Sequence, residues 1–231
     1  YLVAAISLTM LFAMQRALPE TLKKQTPFTG VGSMLKGFVT LLSSRIFSAY
    51  AMNVAFVSVM FFSFIAAAPE VMVSVLNRPP NEYGYYFVLI PSAFMAGNYV
   101  ARWLSTRFGV KRMITSGSWL SITGISIALI LHLSGLLHPL ALFMPIALTT
   151  FGNGISLPNA QAAAINEFPD MAGSASGLTG FLQMGFSAVA AQLVALMFNG
   201  TVYPMLLLML TAATLSLVSF YIAQRHTDSS A

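Results

Sequence analysis

Apolar residues run along this chain in long unbroken blocks separated by short polar breaks. The blocks cover residues 1–17, 46–76, 85–104, 113–133, 140–164, 173–198 and 201–223. A helix needs roughly 20 apolar residues to cross the hydrocarbon core of a bilayer, whereas a barrel strand needs about 10 and alternates its faces. These blocks are too long for barrel strands and do not alternate. They predict one partial and six complete membrane-spanning helices, with Pro69 kinking the second. The expected class is an all-α integral membrane protein with a six-helix transmembrane bundle over residues 46–223. Residues 18–45 read as a polar linker carrying Pro19, Pro27, Gly30 and Gly32. Their later part, continuing to residue 47, is suited to a short amphipathic helix on the membrane surface. Residues 224–231 read as a tail.

Composition agrees with that pattern. Hydrophobic residues make up 57% of the chain and charged residues 7%, against about 25% charged in a soluble domain. So few charges cannot cover a water-facing surface, but lipid tails favour such a surface. With Cys 0, disulfides, thiol catalysis and cysteine metal sites are excluded. The first block lacks the positively charged start and small-residue cleavage site of a signal peptide. The expectation is that the chain opens inside a helix and is a piece of a longer protein.

The formal net charge of +5 reports orientation rather than nucleic-acid binding. Of the 11 basic residues, all but Arg78 fall on one side if each block spans once. Arg16, Lys23, Lys24, Lys36 and Arg45 lie in the first connection. Arg102, Arg107, Lys111 and Arg112 follow the third block, and Arg225 is in the tail. Basic residues stay cytoplasmic, which predicts a cytoplasmic linker, a cytoplasmic Arg102–Arg112 loop and a cytoplasmic C-terminus in a multi-pass cell-membrane protein.

Two spans carry polar stripes. The second has Asn53, Phe56, Met60, Ser63 and Glu70 near one helical face. A carboxylate in lipid costs several kcal/mol (roughly 2.5–3.5 on insertion scales) and should face a cavity or partner. Glu70 follows Pro69 near the outer end, so it is either a substrate or proton group or an interfacial residue. The fifth span has Thr149, Asn153, Ser156 and Asn159 around Gly152, Gly154 and Pro158. Such a stripe either lines a cavity or hydrogen-bonds across helices. In the sixth span Gly173, Gly177, Gly180 and Gly185 suggest close helix packing, with Gly173 and Gly177 forming a GxxxG step. Gln183 there can bond across the bundle or reach a substrate. Glu167 and Asp170 precede that span, and His132 and His138 flank the outer end of the fourth. No metal-ligand spacing, phosphate-binding loop or Ser/His/Asp set is visible, so no cofactor or metal is expected, and neither an ATP-driven pump nor an intramembrane enzyme.

Three segments resemble the major facilitator superfamily, more narrowly its drug:proton antiporters of the Bcr/CflA type. Leu18-Pro19-Glu20-Thr21-Leu22 looks like the LPETL signature ending the sixth helix. Gly97-Asn98-Tyr99-Val100-Ala101-Arg102, with Leu104-Ser105-Thr106-Arg107-Phe108-Gly109-Val110-Lys111-Arg112, resembles the second-half cytoplasmic loop motif between helices eight and nine. Gly152-Asn153-Gly154-Ile155-Ser156-Leu157-Pro158-Asn159-Ala160, followed by residues 169–177, resembles helix ten, its loop and the start of helix eleven. Thr106 stands where the general loop pattern has an acidic residue.

The resemblance implies the C-terminal half of a twelve-helix fold, preceded by the end of helix six (residues 1–17) and the central linker (18–45). It implies proton-coupled efflux of small amphipathic or apolar compounds across a bacterial inner membrane. The cavity would lie between this half and a missing N-terminal half that also holds the coupling carboxylate. On that reading Asn53, Met60, Ser63, Asn153, Ser156, Asn159 and Gln183 are cavity candidates. Arg102, Arg107, Gly109, Lys111 and Arg112 form either a gating loop or topology anchors. Glu70 matches no functional position of the family. A nutrient or metabolite carrier, and a nonfunctional or interaction-only fragment, remain the alternatives.

Overall fold

The structure is a computed structural model that describes residues 2–17 and 31–228. The LPETL segment, Lys23 and Lys24 lie outside the described residues, as does the end of the tail. The described chain holds nine α-helices and falls into two compact units, Tyr1–Ser33 and Met34–Ala231. The first unit contains helix α1 (Leu2–Ala17), apolar and exposed along its length, with the Arg16 guanidinium 4.7 Å from the Phe12 ring centre.

The second unit is the bundle. Helix α2 (Val31–Ser43) leads into it and buries Leu41 completely, while Leu35, Val39 and Leu42 stay exposed. Ser44 then adopts an extended conformation, and its hydroxyl accepts the Phe47 N–H at 3.2 Å. That capping bond satisfies a helix-start donor and sets off α3 (Arg45–Glu70). Pro69 does not end α3. The helix passes through it and continues into a π-helical turn, Val71–Val75, a rare form that appears as single turns beside α-helix.

Helix α4 (Pro80–Phe87) is short and starts on a proline, where no N–H is missed. Helix α5 (Leu89–Phe108) follows after a break at Val88. Pro91 explains the break, because it has no N–H to offer the Phe87 carbonyl. Then come α6 (Val110–Leu133), α7 (Pro139–Asn166), a 3-10 turn, α8 (Ala172–Met197) and α9 (Tyr203–Asp228).

Five helical segments are long and apolar enough to cross a membrane, namely α3 with its π turn, α6, α7, α8 with its preceding turn, and α9. Helix α5 is the sixth long helix of the bundle. Its second half carries Asn98, Arg102, Ser105, Thr106 and Arg107, which lower its apolar character. Among the described residues there is no strand.

The bundle has two apolar cores at different depths. One joins Phe64, Met72, Ile125, Phe143, Val194 and Leu206; the other joins Phe47, Tyr50, Ile114, Ala160, Leu178 and Phe220. Between them runs a polar waist. Ser118 and Ser121 of α6, Thr149, Asn153 and Ser156 of α7, Ser187 of α8 and Ser216 of α9 are buried there. Asn53 and Ser58 flank the same junction on α3. An aromatic group closes the first core's end: Tyr83, Tyr86 and Phe64 each contact the Phe143 ring. Burial raises the Tyr83 phenol above its usual value, which keeps the group neutral.

Close helix approach occurs on α5, α6 and α7, not on α8. A Cβ added to Gly97 would collide with the Phe151 carbonyl, and one added to Gly154 with the Phe94 carbonyl. Gly117 and Gly152 face each other across α6 and α7, and Gly124 meets Thr149 and Pro145. By contrast, nothing lies within 4 Å of a Cβ added to Gly173, Gly177, Gly180 or Gly185. Among the described residues, then, nothing packs closely on the α8 glycines. The GxxxG pattern permits close approach, but no described helix takes it up on that face.

Candidate functional site

The polar waist opens on one side into a cavity of about 230 Å³. Helix α3 supplies Val57, Ser58, Phe61 and Phe62, and α5 supplies Pro91 and Phe94. Helix α7 adds Thr150, Asn153 and Leu157, and α8 adds Gln183. The wall is mostly aromatic and aliphatic, with a few polar groups and no charge, which is the usual make-up of a small-molecule site.

The polar groups differ in what they have to spare. The Thr150 hydroxyl donates to the Ile146 carbonyl at 2.8 Å. The Asn153 Oδ1 accepts from the Ser121 hydroxyl at 2.8 Å. Ser58 is 4% exposed, and its hydroxyl has no hydrogen-bond partner. Gln183 is half-buried, and its backbone carbonyl accepts from the Ser187 hydroxyl at 2.7 Å.

Of the residues singled out from the sequence, Asn153 and Gln183 line this cavity. Asn53 does not. It is fully buried, and its Nδ2 donates to the Ser216 carbonyl and hydroxyl, each at 2.8 Å, tying α3 to α9. Met60 and Ser63 are buried on the same packing face, and Phe56 meets the Phe186 ring of α8 at 5.7 Å. Ser156 is buried against the α6 glycine seam with its hydroxyl unpartnered. Asn159 bridges α7 to α5: its Oδ1 accepts from Ser105 at 3.0 Å while its Nδ2 donates to the Ile155 carbonyl. Glu70 is exposed at the end of α3 and accepts from the Ser74 hydroxyl. The cavity-facing residues of α3 are thus 57, 58, 61 and 62, one step around the helix from the stripe read in the sequence. Both faces are apolar with single polar residues, so periodicity alone cannot choose between them.

The basic cluster sits where α5 gives way to α6. Gly109 has φ 82°, and its N–H closes α5 on the Ser105 carbonyl at 2.9 Å. That conformation strains any residue with a Cβ. Arg102, Arg107, Lys111 and Arg112 are all exposed around this turn. The Arg107 guanidinium lies over the Phe108 ring at 5.6 Å rather than on a helix-end carbonyl, and Arg102 forms a shallow groove with Tyr99, Trp103 and Thr106.

His132 and His138 have local structural roles. His132 is buried, with Nδ1 2.9 Å from the Ala128 carbonyl, and His138 caps α7 by accepting the Leu140 N–H at 3.1 Å. Among the described residues no group of three or more acidic or histidine side chains could hold a metal ion.

No family model matches the chain. Curated relatives do. A bicyclomycin resistance protein homolog from Haemophilus influenzae is 24% identical over 230 residues, covering 96% of this chain and 56% of the relative. The multidrug transporter MdfA of Escherichia coli O6:H1 is 29% identical over 185 residues, covering 79% and 45% respectively. Multidrug resistance protein D of Escherichia coli K12 is 29% identical over 191 residues, covering 80% and 46%. The chain spans about half the length of the curated relatives it matches.

Proposed function

We propose that this chain, a homologue of drug:proton antiporters of the Bcr/CflA type, forms one half of a secondary active transporter that exports small, largely apolar compounds in exchange for protons. The observation that carries the proposal is the mid-depth cavity, aromatic in its walls, with the polar side chains of Asn153 and Gln183 and the unpartnered Ser58 hydroxyl in its lining. Transporter sites commonly sit at the bilayer midplane between structural repeats. The polar waist between two apolar cores suits that depth.

The outward faces of α5 and α8 support a two-half design. Met95, Tyr99 and Trp103 on α5, and Phe181, Met184, Val189 and Leu196 on α8, are more than half exposed. Such faces suit lipid or a second bundle. The second half would close the cavity and hold the proton-coupling carboxylate, since no acidic side chain lines the cavity described here. The Gly109 turn and its basic cluster form the cytoplasmic gate on this reading, and the C-terminus is cytoplasmic.

The test compares vesicles holding this chain alone with vesicles in which it is co-expressed with the N-terminal half of a related antiporter. Drug accumulation and substrate-dependent proton flux are measured in both. Flux is expected only with both halves. Substrate-dependent proton flux from the chain alone would overturn the half-transporter reading and favour a dimeric carrier.

A further inference from the structure

Helix α5 has two contrasting faces. One is locked to α7, through Gly97 against the Phe151 carbonyl and through the Ser105 bond to Asn159. The other carries Met95, Tyr99 and Trp103, one helical turn apart and 71%, 63% and 66% exposed, and nothing among the described residues covers it. Near the Gly109 turn this outer face becomes basic. Arg102 and Thr106 join Tyr99 and Trp103 around a shallow groove of about 390 Å³. Spacings of three and four residues put these side chains on one stripe. The Tyr99 and Trp103 rings lie 6.1 Å apart and inclined at 40°. Arg102 is exposed and has no ion-pair partner among the described residues. Arg107 differs, since its guanidinium lies over the Phe108 ring.

The stripe follows the chemistry of one bilayer leaflet. Met95 is apolar, Tyr99 and Trp103 are amphipathic rings, and Arg102 has a stem long enough to carry its charge towards the turn. Roughly 9 Å of helix separates Trp103 from Gly109, close to the roughly 5–8 Å depth of one headgroup layer. Tyrosine and tryptophan favour that level, where an apolar ring and a polar tip are both satisfied. A guanidinium presents paired N–H donors that match two phosphate oxygens. A second bundle seated here would have to bury Arg102 against a carboxylate of its own or leave it unpaired at high cost. A lipid supplies the anion and leaves the pair in contact with water. We propose that the groove of Tyr99, Arg102 and Trp103 binds an anionic phospholipid, with Arg102 on the phosphate and the two rings against the glycerol and upper acyl chains. The proposal stands whether or not the internal cavity takes a substrate.

The chain has two tryptophans, so Trp119→Phe leaves Trp103 as its only indole. This variant is placed in phosphatidylcholine nanodiscs holding the same small fraction of either phosphatidylglycerol or phosphatidylcholine brominated high on the acyl chain. Bromine quenches an indole it touches, so quenching of Trp103 reports which lipid occupies the groove. Phosphatidylglycerol is expected to occupy it about fivefold more often, the effect of one basic side chain at a membrane surface. Arg102→Gln should bring the two lipids close to equality. Arg112→Gln, at the same turn but outside the groove, should keep most of the difference. On the unaltered chain, native mass spectrometry after extraction from an equimolar bilayer should find phosphatidylglycerol retained over phosphatidylcholine.

Equal quenching by the two lipids would overturn the proposal. An equal fall in Arg102→Gln and Arg112→Gln would mean a diffuse positive field instead of a site, and would overturn it too. Relief of the quenching by soluble glycerol 3-phosphate would assign the groove to a free phosphate, against the proposal. Loss of quenching on assembly with a tryptophan-free N-terminal half of a related antiporter would show that a second bundle covers this face, again against it. Retention of the two lipids in the ratio supplied would overturn it on the unaltered chain, even if a variant fails to fold.

Discussion

Replacing Gly97 by Val should loosen the bundle measurably, whereas the same change at Gly177 should not. In the structure a Cβ on Gly97 would collide with the Phe151 carbonyl and lie 3.1 Å from both the Phe151 carbonyl carbon and the Gly154 Cα. These are backbone atoms, so no side chain can swing aside. Restoring ordinary contact, which begins at 3.4 Å, requires α5 and α7 to separate by on the order of 1 Å, and packed interiors resist such shifts. Overpacking costs about 1–3 kcal/mol, and the valine carries two further methyl groups into the same seam. Its better helix propensity returns only about 0.3 kcal/mol. For a chain of this size each kcal/mol moves Tm by about 2–4 °C, so the net cost corresponds to roughly 1–11 °C, and the two extra methyl groups place Gly97→Val in the upper part of that span, about 5–10 °C lower. A Cβ on Gly177 meets nothing within 4 Å, and Gly177→Val should stay within about 2 °C of the parent, its only change being the small propensity gain. The assay is thermal unfolding of the purified chain in detergent, followed by circular dichroism and by loss of the monodisperse peak. Equal melting of Gly97→Val and the parent, or an equal loss at Gly177, would refute the assignment of the tight seam to α5 and α7.

Reporter fusions after Arg225 and within the turn at Gly109 should both read cytoplasmic; an outward signal from either would reverse the proposed topology. Neutralising Arg107 and Lys111 together, with both halves co-expressed, should abolish efflux and leave membrane insertion intact, whereas normal efflux would reduce these residues to orientation signals. A double-mutant cycle on Asn53→Ala and Ser216→Ala should give a coupling of about 0.6 kcal/mol in unfolding, the average for hydrogen bonds between membrane helices, and no more than about 1.7 kcal/mol. Strict additivity would mean that the Asn53 bond to the Ser216 hydroxyl contributes nothing, since the bond to the Ser216 backbone carbonyl survives Ser216→Ala.

The spans were legible because the apolar blocks are long and the polar breaks short, a signal set by bilayer thickness alone. The start of α3 was also readable in outline, because the apolar block opens at residue 46, right after Arg45. The π turn after Pro69 was not readable, since a proline in a helix can kink it, end it or widen the next turn, and the choice depends on what packs against it. Nor was the cavity face of α3. Asn53, Met60 and Ser63 form a helical stripe as convincing as Ser58, Phe61 and Phe62; only the positions of α9 and α8 decide which stripe is packed and which is open. The glycines teach the same lesson. Gly173 and Gly177 fit a known packing spacing and face open space, while Gly97, Gly117 and Gly124 share no such signature and make the contacts. Local pattern states what a helix face allows, and the neighbouring helices determine what it does.

The bond from Asn53 to Ser216 also bears on how the protein is made. Its two residues are separated by 163 positions in the chain. At a synthesis rate of about 5–20 residues per second, α3 is complete roughly 8–30 s before the serine that will pair with Asn53 exists. During that interval the Asn53 amide is inside the membrane without its final partner, where an unmet polar group is disfavoured. Helix α3 therefore has to wait, either sheltered by the insertion machinery or bonded provisionally to an earlier helix, until α9 arrives. When α9 arrives it displaces whatever temporary partner the Asn53 amide has held. Chains released from the ribosome before α9 carry an unclosed bundle with a polar group turned towards lipid, a mark by which membrane quality control could tell them from finished ones.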